Sequence, residues 1–312
     1  MTGRTRLIGD IGGTNARFTI ARDGAFEGFE RYGTDDFPSL GEAIADYLDR
    51  VPAAERPHEA ALSIAGPVEG ETVNLTNHPA WSFSRRSLAE ECGFDRVIAV
   101  NDFSAAAMGL PYLGPADLAA VGGGKARRGA PLAILGPGTG LGVGGLVPTP
   151  DGGWIPLAGE GGHNTMAAVD AYEDRILDLL RRRFDHVSAE RVLSGEGLVN
   201  LYGAIAQLDG VDGGHPTPAH ITESDEPLCR RAVDHFTAML GTIAGNLALT
   251  LGAAGGVYIG GGIIPRLGKR FAESEFRRRF EAKGRFNLYL SAIPTWVITH
   301  PNPALVGLAH LP

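Results

Sequence analysis

Leu7-Ile-Gly-Asp-Ile-Gly-Gly-Thr-Asn-Ala-Arg-Phe-Thr-Ile-Ala21 and Leu132-Ala-Ile-Leu-Gly-Pro-Gly-Thr-Gly-Leu-Gly-Val-Gly-Gly-Leu-Val147 repeat one pattern. In each, an apolar β-prone run enters a Gly-Thr turn and a second such run leaves it. Glycine allows close approach of the backbone, and consecutive N–H groups in such a turn form a nest for anions. The threonine adds a hydroxyl donor. Two nests on two half-chains predict an α/β protein of two lobes that grip one polyphosphate.

The second stretch also contains Gly140-x-Gly142-x-x-Gly145, the spacing of a dinucleotide fingerprint. That fingerprint must open a helix after its strand. Here Val143, Leu146 and Val147 run on to Pro148 and Pro150, which predicts a second strand and excludes a nicotinamide cofactor. A P-loop is absent too, because none of the three lysines (Lys125, Lys269, Lys283) precedes Ser or Thr.

The 312 residues are enough for two ordinary domains, and 44% hydrophobic and 21% charged residues are ordinary for a soluble protein. A net charge of −8 argues against a nucleic-acid partner, since no basic surface would release counterions. Cys92 and Cys229 stand far apart with no Cys-x-x-Cys, which fits a reduced, cytoplasmic setting. Residues 236–264 carry no charge, and Gly241-x-x-x-Gly245 imitates a membrane dimer motif. The eight glycines and Asn246 in that stretch predict instead a buried helix followed by a strand, so no membrane partner is expected.

Strands are expected at 6–11, 16–21, 60–65, 72–76 and 97–100, with a helix opened by Ser39-x-x-Glu42. Leu110-Pro-Tyr-Leu-Gly-Pro115 is the best boundary, dividing a small lobe, 1–112, from a large one, 113–300. Helices are expected near 168–184, 195–208 and 228–251, and strands at 256–259 and 295–300. A short C-terminal helix in 301–312 returns to the first lobe.

Several constellations carry chemistry. Asp10, ahead of Gly12-Gly13-Thr14, is placed to hold Mg²⁺ through water, since that ion keeps much of its hydration. Asn101-Asp102 follows an apolar strand, at the strand end that borders a ligand crevice in α/β sheets. Asp102 there reads either as a helix cap or as a general base for a hydroxyl in phosphoryl transfer. Asn101, Glu160, His163 and Glu190 supply the several acceptors and donors that a sugar's adjacent hydroxyls require. Gly255 to Pro265 is a strand entering a glycine turn, where a flat purine and ribose can lie against backbone.

Taken in order, these motifs resemble the bacterial ATP-dependent glucokinase family of the sugar kinase/actin-like ATPase superfamily. The matching residues are Gly9 to Arg17, Thr76-Asn77-His78, Asn101-Asp102-Phe103, Gly138 to Gly142 and Gly159-Glu-Gly-Gly-His163, then His186 to Gly195, Gly255 to Pro265 and Lys283-Gly-Arg-Phe286. The resemblance implies a two-lobed actin-like (ribonuclease H-like) fold with a sugar/ATP cleft between the lobes. It implies Asp102 as base, and Asn101, Glu160, His163 and Glu190 as glucose contacts. It implies ATP phosphate contacts at Gly9, Asp10, Ile11, Gly12, Gly13 and Thr14, with Gly138, Thr139, Gly140 and Gly261 as further nucleotide contacts. Glucose, ATP and Mg²⁺ are the expected ligands, and a homodimer the expected assembly. The chain departs from the family at Asn164-Thr165-Met166, where a small apolar residue and Asp-Phe usually follow the histidine. The alternatives are a broader hexose kinase acting on mannose or fructose, and a sugar-binding regulator without turnover.

Overall fold

The computed structural model describes residues 5–66, 68–75 and 78–312. They form two compact units, one running to Leu113 and including Pro301–Pro312, the other spanning Gly114–His300.

The first unit is built on β1 (Thr5–Ile11), β2 (Asn15–Arg22), β3 (Ala25–Gly33) and β4 (Glu59–Ile64). A short ribbon follows, β5 (Thr72–Val73) with β6 (Phe83–Ser84), and then β7 (Arg96–Asn101). The main sheet has the order β3-β2-β1-β4-β7. β1, β2 and β3 form an antiparallel meander, and β4 and β7 add in parallel to β1. β4 reads Glu-Ala-Ala-Leu-Ser-Ile and is buried from Ala60 to Ile64, as a strand covered on both faces should be. α1 (Leu40–Asp49) starts where Ser39 Oγ accepts the Glu42 N–H at 3.2 Å, and it buries Leu40, Ala43, Ile44, Tyr47 and Leu48. α2 (Arg85–Cys92) and α3 (Asp102–Gly109) complete this part.

The second unit repeats that plan. After β8 (Leu118–Ala120) come β9 (Leu132–Pro137), β10 (Leu141–Pro148) and β11 (Trp154–Gly159), again an antiparallel meander. β12 (Gly256–Ile259) and β13 (Thr295–Ile298) add in parallel to β9, and β8 closes the edge, in the order β11-β10-β9-β12-β13-β8. β10 is therefore a strand, as Pro148 and Pro150 predict. Around the sheet lie α4 (Ala171–Arg181), α5 (Gly195–Asp209), α6 (Pro218–Glu223) and α7 (Pro227–Leu251). Four short helices follow: α8 (Ile264–Leu267), α9 (Lys269–Ala272), α10 (Phe276–Glu281) and α11 (Asn287–Ser291).

The chain then rejoins the first unit as α12 (Pro303–Ala309), packed on α3. A Cβ on Gly109 would stand 2.5 Å from the Pro303 carbonyl oxygen, so the two helices meet backbone to backbone. Buried Arg6 ties this end down. Its Nη1 donates to the carbonyls of Leu308 (3.1 Å) and Leu311 (3.0 Å), and its Nη2 pairs with Glu59 at 2.9 Å.

Several expected elements differ in extent. The strand expected at 72–76 is two residues long, and Thr76 lies outside the described residues. The helix expected over 168–184 runs only Ala171–Arg181, because Asp170 Oδ1 caps it by accepting the N–H groups of Tyr172 and Glu173. The strand expected over 295–300 stops at Ile298, beyond which the Thr299 N–H turns to the Asp117 carbonyl. β3 and β11 are additional edge strands.

The uncharged stretch is a helix and a strand, and no described helix is long and apolar enough to cross a membrane. Gly241 and Gly245 instead let α10 approach α7. A Cβ at Gly245 would lie 2.6 Å from the Phe280 carbonyl oxygen, and one at Gly241 would collide with that of Phe276. Gly241→Ala should therefore lower stability by about 1–3 kcal/mol, because neither backbone can yield. Gly203→Ala, in open space on α5, should be neutral or stabilising by up to about 1 kcal/mol. Urea midpoints for the two variants check this; equal midpoints would contradict the packing account.

Candidate active site

The first hairpin turns over Gly12-Gly13-Thr14, with the Gly12 N–H donating to the Asn15 carbonyl at 2.9 Å. Thr34 steadies the loop, its N–H donating to the Thr14 carbonyl and its hydroxyl to that of Gly13. Gly12, Gly13 and Thr14 have access to solvent, whereas Gly9 and Ile11 are buried in the sheet. A Cβ at Gly9 would stand 2.6 Å from the Leu62 side chain, so this glycine serves packing. Beside the loop is a void of about 10 Å³ lined by Ile11, Gly12, Gly13, Ala65, Leu75 and His78, room for about one water.

Asp10 is half-buried at the end of β1. Arg17, its antiparallel neighbour, pairs with Oδ2 at 2.7 Å, and the Ser63 hydroxyl, opposite it on β4, donates to Oδ1 at 2.6 Å. Sequence reasoning passed over Ser63. Its signal is a lone polar residue in the apolar run Ala60-Ala-Leu-Ser-Ile64, in register with Asp10.

Asn101 and Asp102 stand where β7 becomes α3, and Asn101 is the cap. Its Oδ1 accepts the N–H groups of Phe103 (2.9 Å) and Ser104 (3.2 Å), and its Nδ2 donates to the Gly66 carbonyl at 3.1 Å. Asp102 is the first helical residue, so the N-cap position lies one residue earlier than the sequence reading put it, although Asp102 Oδ1 also accepts the Phe103 N–H at 2.8 Å. Asn101 retains one amide N–H for a ligand.

In the second unit the expected residues come together through backbone. Gly138-Thr139-Gly140 forms the hairpin turn, the Gly138 N–H donating to the Gly140 carbonyl at 2.8 Å. The Gly138 carbonyl accepts the Gly195 N–H at 2.8 Å, and the Pro137 carbonyl accepts the Ile263 N–H at 3.3 Å. Gly261, at φ +81°, lies so close to Pro137 that a Cβ would strike its carbonyl. Glu160 precedes and His163 ends a turn of 3₁₀ helix over Gly161–His163; both side chains are exposed and hydrogen-bond to no described residue. The Glu190 N–H donates to the Gly162 carbonyl at 2.9 Å, and Glu190 Oε2 accepts the Leu141 N–H at 2.8 Å. Asn164, Thr165 and Met166 are absorbed in local pairing. The Asn164 carbonyl accepts the Ala189 N–H, Thr165 bridges to Ser188, and Met166 is buried.

The sequence from residue 7 to residue 312 matches the family model for glucokinase. The chain belongs to the glucokinase family. Glucokinase of Paramagnetospirillum magneticum is 51% identical over 98% of this chain and 96% of its own length. A glucokinase crystal structure from an Antarctic psychrotroph superposes with a TM-score of 0.91 at 36% identity, covering 98% of this chain and 97% of that one. A second, from a Streptomyces griseus ROK-family glucokinase in complex with glucose and AMPPNP, gives a TM-score of 0.64 at 19% identity over 98% of each chain. The fold is thus the two-lobed actin-like ATPase fold, and the reaction is the family's ATP-dependent phosphorylation of glucose to glucose 6-phosphate.

The Glu190–Leu141 bond is open to measurement. Leu141 is buried, so its N–H has no water to turn to. Glu190→Ala should cost about 1–3 kcal/mol of stability, the penalty for an unsatisfied buried donor. Glu190→Gln keeps an oxygen for that N–H and should cost clearly less. Equal urea midpoints for the two variants would show that the bond contributes nothing.

Proposed function

We propose that glucose is held by Asn101, Glu160, His163 and Glu190, and that Asp102 is the general base of the transfer. The 6-hydroxyl oxygen bonds to the γ-phosphorus as its proton passes to the Asp102 carboxylate. The bond from that phosphorus to the β–γ bridging oxygen breaks, and its electron pair leaves with ADP. Such a transfer needs positioning and charge neutralisation more than a strongly activated base. The observation carrying this reading is the division of labour at the β7–α3 junction. Asn101 accepts both the Phe103 and the Ser104 N–H, whereas Asp102 Oδ1 only shares the Phe103 N–H, at 2.8 Å, so the cap does not depend on Asp102.

The phosphates fall to the two glycine turns, 12–14 and 138–140 with Gly261, whose N–H groups form nests. Gly9 and Ile11 contribute through the strand that positions the loop. Mg²⁺ fits at Asp10 in an outer sphere. One carboxylate already bonded to Arg17 and Ser63 is too little for a direct cage, and this ion commonly combines one or two carboxylates with phosphates and retained waters. When bound, it neutralises phosphate charge.

This reading includes a homodimer acting in the cytoplasm, supported by the family's habit and by two unpaired cysteines. A sedimenting species of one-chain mass at working concentration would remove the dimer from it.

Asp102→Asn should lower kcat by about 10²–10⁴-fold while glucose binding, read by calorimetry, stays close to that of the unaltered protein. Near-normal kcat in that variant would reject Asp102 as base. Asp10→Asn should raise the Mg²⁺ concentration giving half-maximal turnover, with little change in the KM for glucose. An unchanged Mg²⁺ dependence would reject Asp10 as its anchor.

A further inference from the structure

Away from these residues, His220, Glu226 and Cys229 bring one imidazole nitrogen, one carboxylate oxygen and one thiol sulfur within 4.8 Å of one another. His220 Nε2 is 4.0 Å from Glu226 Oε1. The three come from one tight corner. His220 lies on α6, Glu226 stands at the N-terminal boundary of α7, and Cys229 sits three residues on, in the first turn of that 25-residue helix. His220 and Glu226 are exposed, while Cys229 is buried. The reaction described above uses none of them.

We propose that His220, Glu226 and Cys229 form a binding site for a borderline-soft divalent cation of the zinc class. The donor set decides the class. A thiolate with an imidazole and a carboxylate suits zinc or cobalt(II), whereas magnesium and calcium prefer oxygen alone. Three protein ligands leave a fourth, solvent-facing position for water. Nitrogen, oxygen and sulfur ligands at their usual distances of roughly 2.0–2.3 Å from zinc lie about 3.3–3.6 Å apart. The present spacing is wider than that, so the exposed His220 and Glu226 side chains have to move in toward the Cys229 sulfur. Burial pushes the Cys229 thiol up from its ordinary range, with Ser224 and Arg270 pulling the other way. The sulfur–metal bond therefore forms as the thiol proton leaves to buffer.

Such an ion would pin α6 to α7. Pro218, the first residue of α6, lies 3.6 Å from where a Cβ on Gly195 would stand, and the Gly195 N–H donates to the Gly138 carbonyl of the second glycine turn. The clamp thus lies near a proposed nucleotide turn, but its existence does not depend on that role.

Cobalt(II) titration of the full reduced chain tests the site. One equivalent should produce a thiolate-to-cobalt charge-transfer band and the intense visible bands of four-coordinate cobalt, both removed by zinc. His220→Ala, a surface change, should weaken binding by tenfold or more, and Cys229→Ser should abolish the charge-transfer band. Zinc should raise the melting temperature of the unaltered protein and leave that of His220→Ala unmoved. No band at millimolar cobalt would overturn the proposal. So would a band that survives in Cys229→Ser, which would assign the metal to Cys92, or unaltered binding in His220→Ala.

Discussion

One side chain joins the two halves of the second unit's proposed site. Glu190 reaches back along the chain to accept the Leu141 N–H, while its own N–H is bonded to the Gly162 carbonyl. The first bond fixes the strand leaving the Gly138-Thr139-Gly140 turn, and the second fixes the turn bearing Glu160 and His163. Enlarging either neighbour would disturb this pair of bonds. A Cβ at Gly140 would stand 2.5 Å from Glu190 Oε2, and one at Gly162 would collide with the Leu141 carbonyl. The glycines here are therefore demanded by closeness of approach, and both lie outside the positive-φ glycines. An acidic residue that has given one oxygen to the backbone is also held in a single pose, which suits a group meant to meet hydroxyls.

The repeated glycine turn has its counterpart in a repeated sheet. Both units contain an antiparallel meander followed by two parallel strands on the far side of its first strand. The first hairpin of each meander carries the Gly-Thr turn, so the same topological position is used twice. The copies differ in charge. The first has Asp10 and Arg17 in register at its base, whereas the second has glycines and leucines. If the first turn serves phosphates with a cation and the second serves them with backbone alone, this is where the sequence difference acts.

Much of this was legible in the sequence because its signals are local. Alternating apolar runs around a glycine turn announce a hairpin, Ser39 announces a helix start, and Pro148 with Pro150 rules out the helix that a dinucleotide fingerprint requires. Edge strands were less legible. β3 is exposed from Ala25 to Arg31, and β11 carries Pro156 in mid-strand, so neither shows the buried pattern that marks a strand. Partnerships between distant segments were not legible at all. Nothing near Ser63 says that its hydroxyl meets Asp10, since only the β1–β4 register brings them level. Likewise Gly241-x-x-x-Gly245 states that something approaches closely, while only the fold supplies α10 as the partner.

Asp10 poses an electrostatic question that its neighbours answer. A carboxylate beside a loop meant for phosphates would repel them, and a chain of net charge −8 offers no general compensation. Arg17 removes much of that cost locally, because a guanidinium 2.7 Å from the carboxylate makes the pair nearly neutral at a phosphate's distance. Ser63 holds the second oxygen, so the carboxylate cannot swing toward the loop without losing a buried hydroxyl partner. The carboxylate nevertheless keeps lone pairs to offer, since among the described residues each oxygen accepts one hydrogen bond. A hydrated cation can therefore hydrogen-bond to Asp10 through its waters without displacing Arg17. The outer-sphere Mg²⁺ proposed above accords with this arrangement, because a strongly hydrated ion reaches a carboxylate most readily through its own waters.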